Sequence, residues 1–221
     1  MTIYAFFDVD GTLTRSTTMK NFLDYFYHDD VFGEVNKAFY RQWKLMEKKT
    51  FLARSVLNRC YYKNYAGLPV SQVGSAGYRW FEQDLQQADF FQLSVLKKLR
   101  WHQEQEHQVV FVSGAFEGCL KPLAEHLKVS HILCTHLESQ EGIYSGNIVG
   151  EPVIGVEKVK AIKKSLPLKM NFKDDYAYGD HLSDRTMLSL VGNPVVVEGD
   201  RKLEKYAHSR QWKVLSTSGE K

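Results

Sequence analysis

Phe6 to Thr14 read FFDVDGTLT, and the apolar residues Ile3 to Phe7 run straight into the first aspartate. A short, nearly continuous apolar run predicts a strand buried on both faces. Asp8 falls where that strand ends, and Gly11 permits a sharp turn. In open α/β sheets, ligands bind beyond the carboxyl ends of the strands. Carboxylates there are poorly placed for a core and well placed for a metal ion. An ordinary Asp-Gly turn after a strand would read the same way, so the other strand ends must decide.

They come in order. Between Ser16 and Phe91 the chain shows helical spacings without a clear strand: NFLDYFYHD from Asn21, EVNKAFYRQWKLMEKK from Glu34, FLARSVLNRCYYKNY from Phe51 and SQVGSAGYRWFEQDLQQ from Ser71. More than half of the aromatic residues fall in this region. They predict the interior of a small helical bundle, with some rings lining a pocket for the organic part of a substrate. From Phe91 onward helix and strand alternate. QVVFVSG, HILCTHLES, DYAYGD and NPVVVEGD read as strands, the last of them closing the sheet, and EGIYSGNIVGEPV as a hairpin. FEGCLKPLAEHLK, VEKVKAIKKSL and LSDRTMLSLV read as helices, with Pro122 in a first turn or at a kink. Such alternation implies a mostly parallel sheet covered on both faces. The expected division is a core of residues 1–15 and 92–221, with residues 16–91 inserted as a helical cap.

Composition narrows the function. With 221 residues, 43% hydrophobic, 25% charged and a net charge of +3, the chain reads as a soluble globular protein. Neither nucleic acid nor a membrane is the expected partner. The three cysteines are widely spaced and suggest reduced thiols in a cytoplasm. No basic-then-apolar leader pattern precedes Asp8.

The strand ends then assemble a constellation. QVVFVSG delivers Ser113 and Gly114, where a hydroxyl and backbone amides at a helix start can receive an anion. YAYGD delivers Asp180, with Ser183 and Asp184 in the next turn, and Lys158 and Lys160 lie early in the preceding helix. Each piece has a bland reading as a turn, a cap or a solvated lysine; the ordered combination does not. It resembles the haloacid dehalogenase superfamily, in its phosphoserine-phosphatase-like branch. The motifs are DVDGT (Asp8 to Thr12), VSG (Val112 to Gly114), Lys158 in GVEKVKAI and GDHLSD (Gly179 to Asp184).

The resemblance implies a Rossmann-like core with a C1-type cap inserted after the first strand. It also implies a Mg²⁺-dependent phosphomonoesterase that forms an aspartyl-phosphate on Asp8. Asp8, the backbone carbonyl of Asp10 and Asp180 are the implied metal ligands, with Asp184 in support. Thr12, Ser113, Gly114 and Lys158 are the implied phosphate ligands, and Asp10 the general acid and base. Physics agrees, since a carboxylate is ionised at neutral pH and needs no activating base. Two like charges 4 Å apart repel by about 4 kcal/mol at an effective dielectric of 20, a cost a hard dication removes. Asp10 favours ester hydrolysis, because members that cleave carbon–halogen or carbon–phosphorus bonds lack an aspartate there. Phosphoserine-specific relatives carry a glutamate nine residues after the nucleophile, where this chain has Thr17. Phosphoserine is therefore expected to be a poor substrate, with Arg54 and Arg59 left to meet a substrate carboxylate. The competing classes are a phosphate-accepting signalling receiver and a non-catalytic binding protein on the same fold.

Overall fold

Strand β1 (Tyr4–Phe7) is buried on both sides, as its apolar run requires. Phe6 packs into one hydrophobic cluster and Phe7 into the other, following the alternation of side chains along a strand. The computed structural model describes residues 2–28, 34–48 and 54–217 and, of Arg54 and Ser55, the backbone alone. β2 (Gln108–Phe116) pairs parallel with one edge of β1, and β6 (Tyr176–Gly179) pairs parallel with the other. With β3 (His131–Thr135), β7 (Asn193–Val197) and β8 (Lys213–Leu215), the parallel sheet runs β3-β2-β1-β6-β7-β8. The order reverses at β1, so the crevice of an open parallel sheet lies at the carboxyl end of β1, where Asp8 stands.

Helices α5 (Leu93–Glu104) and α6 (Glu117–His126) cover the Phe7 face, through residues such as Leu99 and Leu120. Helices α7 (Val156–Ser165), α8 (Arg185–Leu188) and α9 (Arg201–Ser209) cover the Phe6 face, through Ile162, Met187 and Leu203. Between β1 and α5 come α1 (Thr18–Tyr27), α2 (Glu34–Glu47), α3 (Arg54–Tyr62) and α4 (Val70–Asp84). α1 buries Met19, Phe22, Leu23 and Phe26, which the three- and four-residue spacing places on one face. Phe22 meets Tyr65, Trp80 and Phe116 ring to ring, and Tyr65 also meets Phe116, so most of the aromatic excess is core. Where the helical segment leaves and returns, the two passing chains pair. Arg15 N–H donates to the Phe90 carbonyl, and Gln92 N–H to that of Leu13.

Four points differ from the sequence reading or narrow it. HILCTHLES is two strands in two sheets: β3 ends at Thr135, and β4 (Leu137–Gln140) pairs antiparallel with β5 (Ile143–Ile148). The hairpin therefore turns at Glu141-Gly142, both at positive φ, and takes its first strand from residues read as part of the preceding strand. No breaker separates Thr135 from Leu137, so local pattern could not divide them. β7 does not end the sheet either, since β8 adds to its outer edge and is too short to show an alternation. Pro122 lies inside α6 rather than in its first turn. Ser113 is followed by more strand before the helix starts, and the β2–β3 register shifts between Ser113 and Phe116.

Candidate active site

Asp8 leaves the end of β1 almost buried, and its carboxylate is held from two directions. Lys158 Nζ donates to Asp8 Oδ1 at 2.5 Å, and Thr12 Oγ1 lies 3.1 Å from Oδ2. The turn between them forms because Gly11 adopts φ +84°, and because a Cβ there would come 2.5 Å from an Asp180 carboxylate oxygen. Only glycine satisfies both demands. Thr12 Oγ1 also reaches Asp180 Oδ1 at 2.8 Å, so one buried hydroxyl ties the ends of β1 and β6 together.

Lys158 is buried on the inner side of α7, whereas Lys160 is exposed and pairs with Glu157. The residue pattern alone left the two lysines equivalent and the family resemblance singled out Lys158; the helix phase buries Lys158 and leaves Lys160 outside. Lys158 Nζ also donates to Asp184 Oδ1 at 2.6 Å. Burial opposes its charge, but Asp184 and Asp8 outweigh burial and hold its pKa above the ordinary lysine value. Asp184 accepts the His181 N–H through its other oxygen, closing the turn after β6. Asp200, not singled out in the sequence, accepts the Leu182 N–H and caps α9 through Lys202 N–H. Its signal was the Gly-Asp pair before a helical pattern.

Asp10 faces a different partner. Its Oδ1 accepts the backbone N–H of Thr18 at 2.7 Å and the Thr18 hydroxyl at 2.6 Å. Thr18 is buried at the start of α1, so the inserted helices themselves orient Asp10. Sequence reading missed it, because nothing in TRSTTM distinguishes one threonine from its neighbours. Ser113 is buried, and its Oγ accepts the Ala115 N–H. The Gly114 carbonyl accepts three side-chain donors: Asn58 Nδ2, the Tyr62 hydroxyl and the Thr135 hydroxyl. A Cβ at Gly114 would come 2.8 Å from Ile154, so the close approach depends on glycine.

Asp8, Asp10, Thr17, Ser113, Gly114, Lys158, Ser183 and Asp184 open onto one cavity of about 220 Å³. Its far wall comes from α1, α2 and α3 and includes Lys20, Trp43 and Glu47, which the sequence did not identify. Arg59 stands outside this lining and pairs with Glu151 at 2.5 Å. The Arg54 side chain lies outside the described residues. Carboxylate oxygens of Asp8, Asp180 and Asp184 lie within 4.8 Å of one another, a hard-oxygen set that fits a small dication. Burial raises the Asp180 pKa, and the nearby Asp184 charge adds to the rise. Glu117, Cys134 and His136 form a second group of donors, but burial pushes the Cys134 thiol up to about 12, away from the thiolate a metal requires.

Residues 5–189 match the model of the haloacid dehalogenase-like hydrolase family. A putative hydrolase of Mycobacterium leprae is 30% identical over 97% of this chain and 72% of its own length. A Mycobacterium tuberculosis protein named as a phosphoserine phosphatase is 29% identical over 97% of this chain and 70% of its own. A solved structure of a protein of unknown function from Bordetella pertussis superposes with a TM-score of 0.84 at 21% identity, covering 98% of this chain and all of that one, and shares its fold.

Proposed function

This chain belongs to the haloacid dehalogenase-like hydrolases, and from that premise we propose that it is a Mg²⁺-dependent phosphatase of small phosphomonoesters. The observation that carries the reading is the pairing of two differently supported carboxylates over one cavity. Asp8 is gripped by Lys158 and Thr12, and Asp10 by Thr18. Asp8 is the nucleophile: one carboxylate oxygen bonds to phosphorus while the ester oxygen leaves with its electron pair. Asp10 supplies the proton that the departing alkoxide needs. It then takes a proton from the water that hydrolyses the aspartyl-phosphate, restoring both residues. Ser113, the Gly114 amide, Thr12 and Lys158 receive the phosphoryl oxygens. Asp8, Asp180 and the Asp10 carbonyl would hold the cation, with Asp184 oriented behind them by Lys158 and His181. That cation supplies neutralisation of the charge gathered when a phosphate dianion meets these carboxylates.

Residues 16–91 act as the cap over a core of residues 1–15 and 92–221. The chain crossing at Arg15 and Phe90 supports the division, as do the cavity-lining residues of α1, α2 and α3. The cap also favours an enzyme over a receiver, whose phosphate would have no cavity to occupy. Phosphoserine, the substrate in the name of the tuberculosis relative, would meet Thr17 where its ammonium requires a carboxylate. The deciding experiment is release of inorganic phosphate from a panel of phosphomonoesters with Mg²⁺. Many turnovers per protein, with phosphoserine among the weaker substrates, is the expected result. Release that stops near one equivalent would identify a receiver, and phosphoserine leading by a wide margin would overturn the reading of Thr17.

A further inference from the structure

Across the cavity from the phosphate-handling residues stands an ion pair with no part in the chemistry above. Lys20, on α1, and Glu47, at the end of α2, lie 3.2 Å apart, and both line the cavity. The same wall carries the apolar Trp43, itself nearly buried, Met19 and Leu57, together with Asn58 and Tyr61. The two ions are not equally placed, because the lysine side chain is 46% exposed and the glutamate 30%. Resting on the phosphatase reading of the site, we propose that Glu47 is the specificity-determining carboxylate, selecting phosphomonoesters whose organic part carries a protonated amine.

The asymmetry of the pair sets the sign of this preference. A lysine on a long flexible stem returns its ammonium to water at little cost when a competing cation arrives. The shorter, more enclosed glutamate stays, and exchanges Lys20 for the amine of the ligand. An anionic substituent would instead meet the Glu47 carboxylate as a like charge. The charge inventory points the same way. Besides Lys20, the only other cation lining the cavity among the described residues is Lys158, which is committed to Asp8 and Asp184. Among the described residues no further cation on the lining remains to receive a carboxylate. The apolar wall beside Glu47 covers the carbon body of such a substrate. Thr17 is thus not the end of amine recognition in this cavity; the carboxylate is supplied from the cap. Phosphoserine gains little, since its own carboxylate adjoins the ammonium and meets Glu47 unfavourably.

The test uses a series of ω-aminoalkyl phosphates beside alkyl phosphates of matching length, assayed with Mg²⁺ on the full chain. Wild-type protein is expected to prefer the amino esters, and Glu47→Gln to lower kcat/KM for them about ten- to a hundredfold. The loss should fall mainly in KM, while the alkyl esters are unchanged. Lys20→Met removes the competitor and is expected to raise kcat/KM for the amino esters. Equal losses on both series in Glu47→Gln, or turnover of alkyl phosphates with no amine preference in the wild type, would overturn the assignment of Glu47 and leave the phosphatase reading standing. Hydrolysis of neither series, nor of any ester in the wider panel, would overturn both.

Discussion

Asp8 and Asp10 leave the same strand end two residues apart, yet their surroundings differ. Asp8 is gripped by a buried ammonium and a hydroxyl of the core, and Asp10 by a threonine of the inserted helices. The first arrangement sets an ammonium against the carboxylate proposed as the nucleophile. The second fixes a carboxyl group at the boundary with the cap, where a leaving group would enter. Asp8→Asn should therefore abolish turnover in a protein whose circular dichroism is unchanged; steady-state hydrolysis by a folded, non-deamidated variant would refute the nucleophile. Asp10→Asn should slow hydrolysis about 10²–10⁴-fold, the usual worth of a positioned acid and base. Its metal affinity, read by calorimetry, should stay close to wild type, because the ligand contributed there is the backbone. Loss of metal binding with an intact rate would reverse the two roles. Both aspartates were legible in the sequence, since DVDGT marks them locally. Thr18 and Glu47 were not, because each acquires its meaning only when a helix is docked over the strand ends.

At the scale of elements, α4 and α6 approach each other closely at Gly77. Pro122 has no N–H to donate to the Gly118 carbonyl one turn earlier, and that carbonyl turns toward Gly77, where a Cβ would lie 2.0 Å from its oxygen. Gly74, one turn before Gly77 on α4, has nothing within 4 Å of its would-be Cβ. The two glycines should respond oppositely to alanine. Gly74→Ala is expected to stabilise by roughly 0.5–1 kcal/mol through helix propensity. Gly77→Ala should cost about 1–3 kcal/mol by overpacking, lowering the melting temperature by about 2–4 °C per kcal/mol. Equal shifts in the two variants would show that α4 and α6 do not meet through Gly77. A second element-level device joins α5 to β6, where buried His102 contacts the Tyr178 hydroxyl at 2.9 Å and His107 at 2.8 Å. Burial, with help from His107, lowers its pKa from 6.5 to about 3. The unfolded chain then binds a proton that the folded chain refuses, so this residue's contribution is full above pH 6.5 and is lost as pH falls toward 3. Urea unfolding should show a slope of about 1.4 kcal/mol per pH unit from this group across that window. His102→Phe should flatten the curve, and an unchanged slope would exclude His102 as its source. The helices, β1, β6 and the core of β2 were readable because periodicity and apolar runs are local properties. The start of β4 within HILCTHLES and the existence of β8 were not, since pairing partners several residues away decided where those strands began.

For the whole molecule, the family and the parallel sheet followed from the order of motifs at strand ends, a long-range regularity that local misreadings could not disturb. The cap was legible as an insertion, but its contribution to the cavity was not: the helical spacing of EVNKAFYRQWKLMEKK gives Glu47 no distinction from the charges around it. Among the described residues no helix is long and apolar enough to cross a membrane. Charge couples the two parts of the site, since Lys158 pairs with Asp8 after β1 and with Asp184 after β6. Asp8, Asp180 and Asp184 come from β1 and the loop after β6, and burial raises the Asp180 pKa above its ordinary value. The folded protein therefore retains a proton there that the unfolded chain releases, so this group loses stability as pH rises above the ordinary carboxylate value. A cation in the site reverses that loss by competing with the proton, and it binds the folded state alone. At a concentration a hundredfold above its dissociation constant, such a ligand adds about 2.7 kcal/mol, which amounts to several degrees in the melting temperature. Mg²⁺ should thus raise the melting temperature at pH 8, do so progressively less as pH is lowered, and lose its effect in Asp180→Asn. Excess chelator should remove both the stabilisation and the hydrolysis, and Ca²⁺, with its larger and looser shell, should restore stability better than activity. A melting temperature indifferent to Mg²⁺ at pH 8, together with full activity in verified metal-free protein, would show that these three carboxylates do not hold the cation.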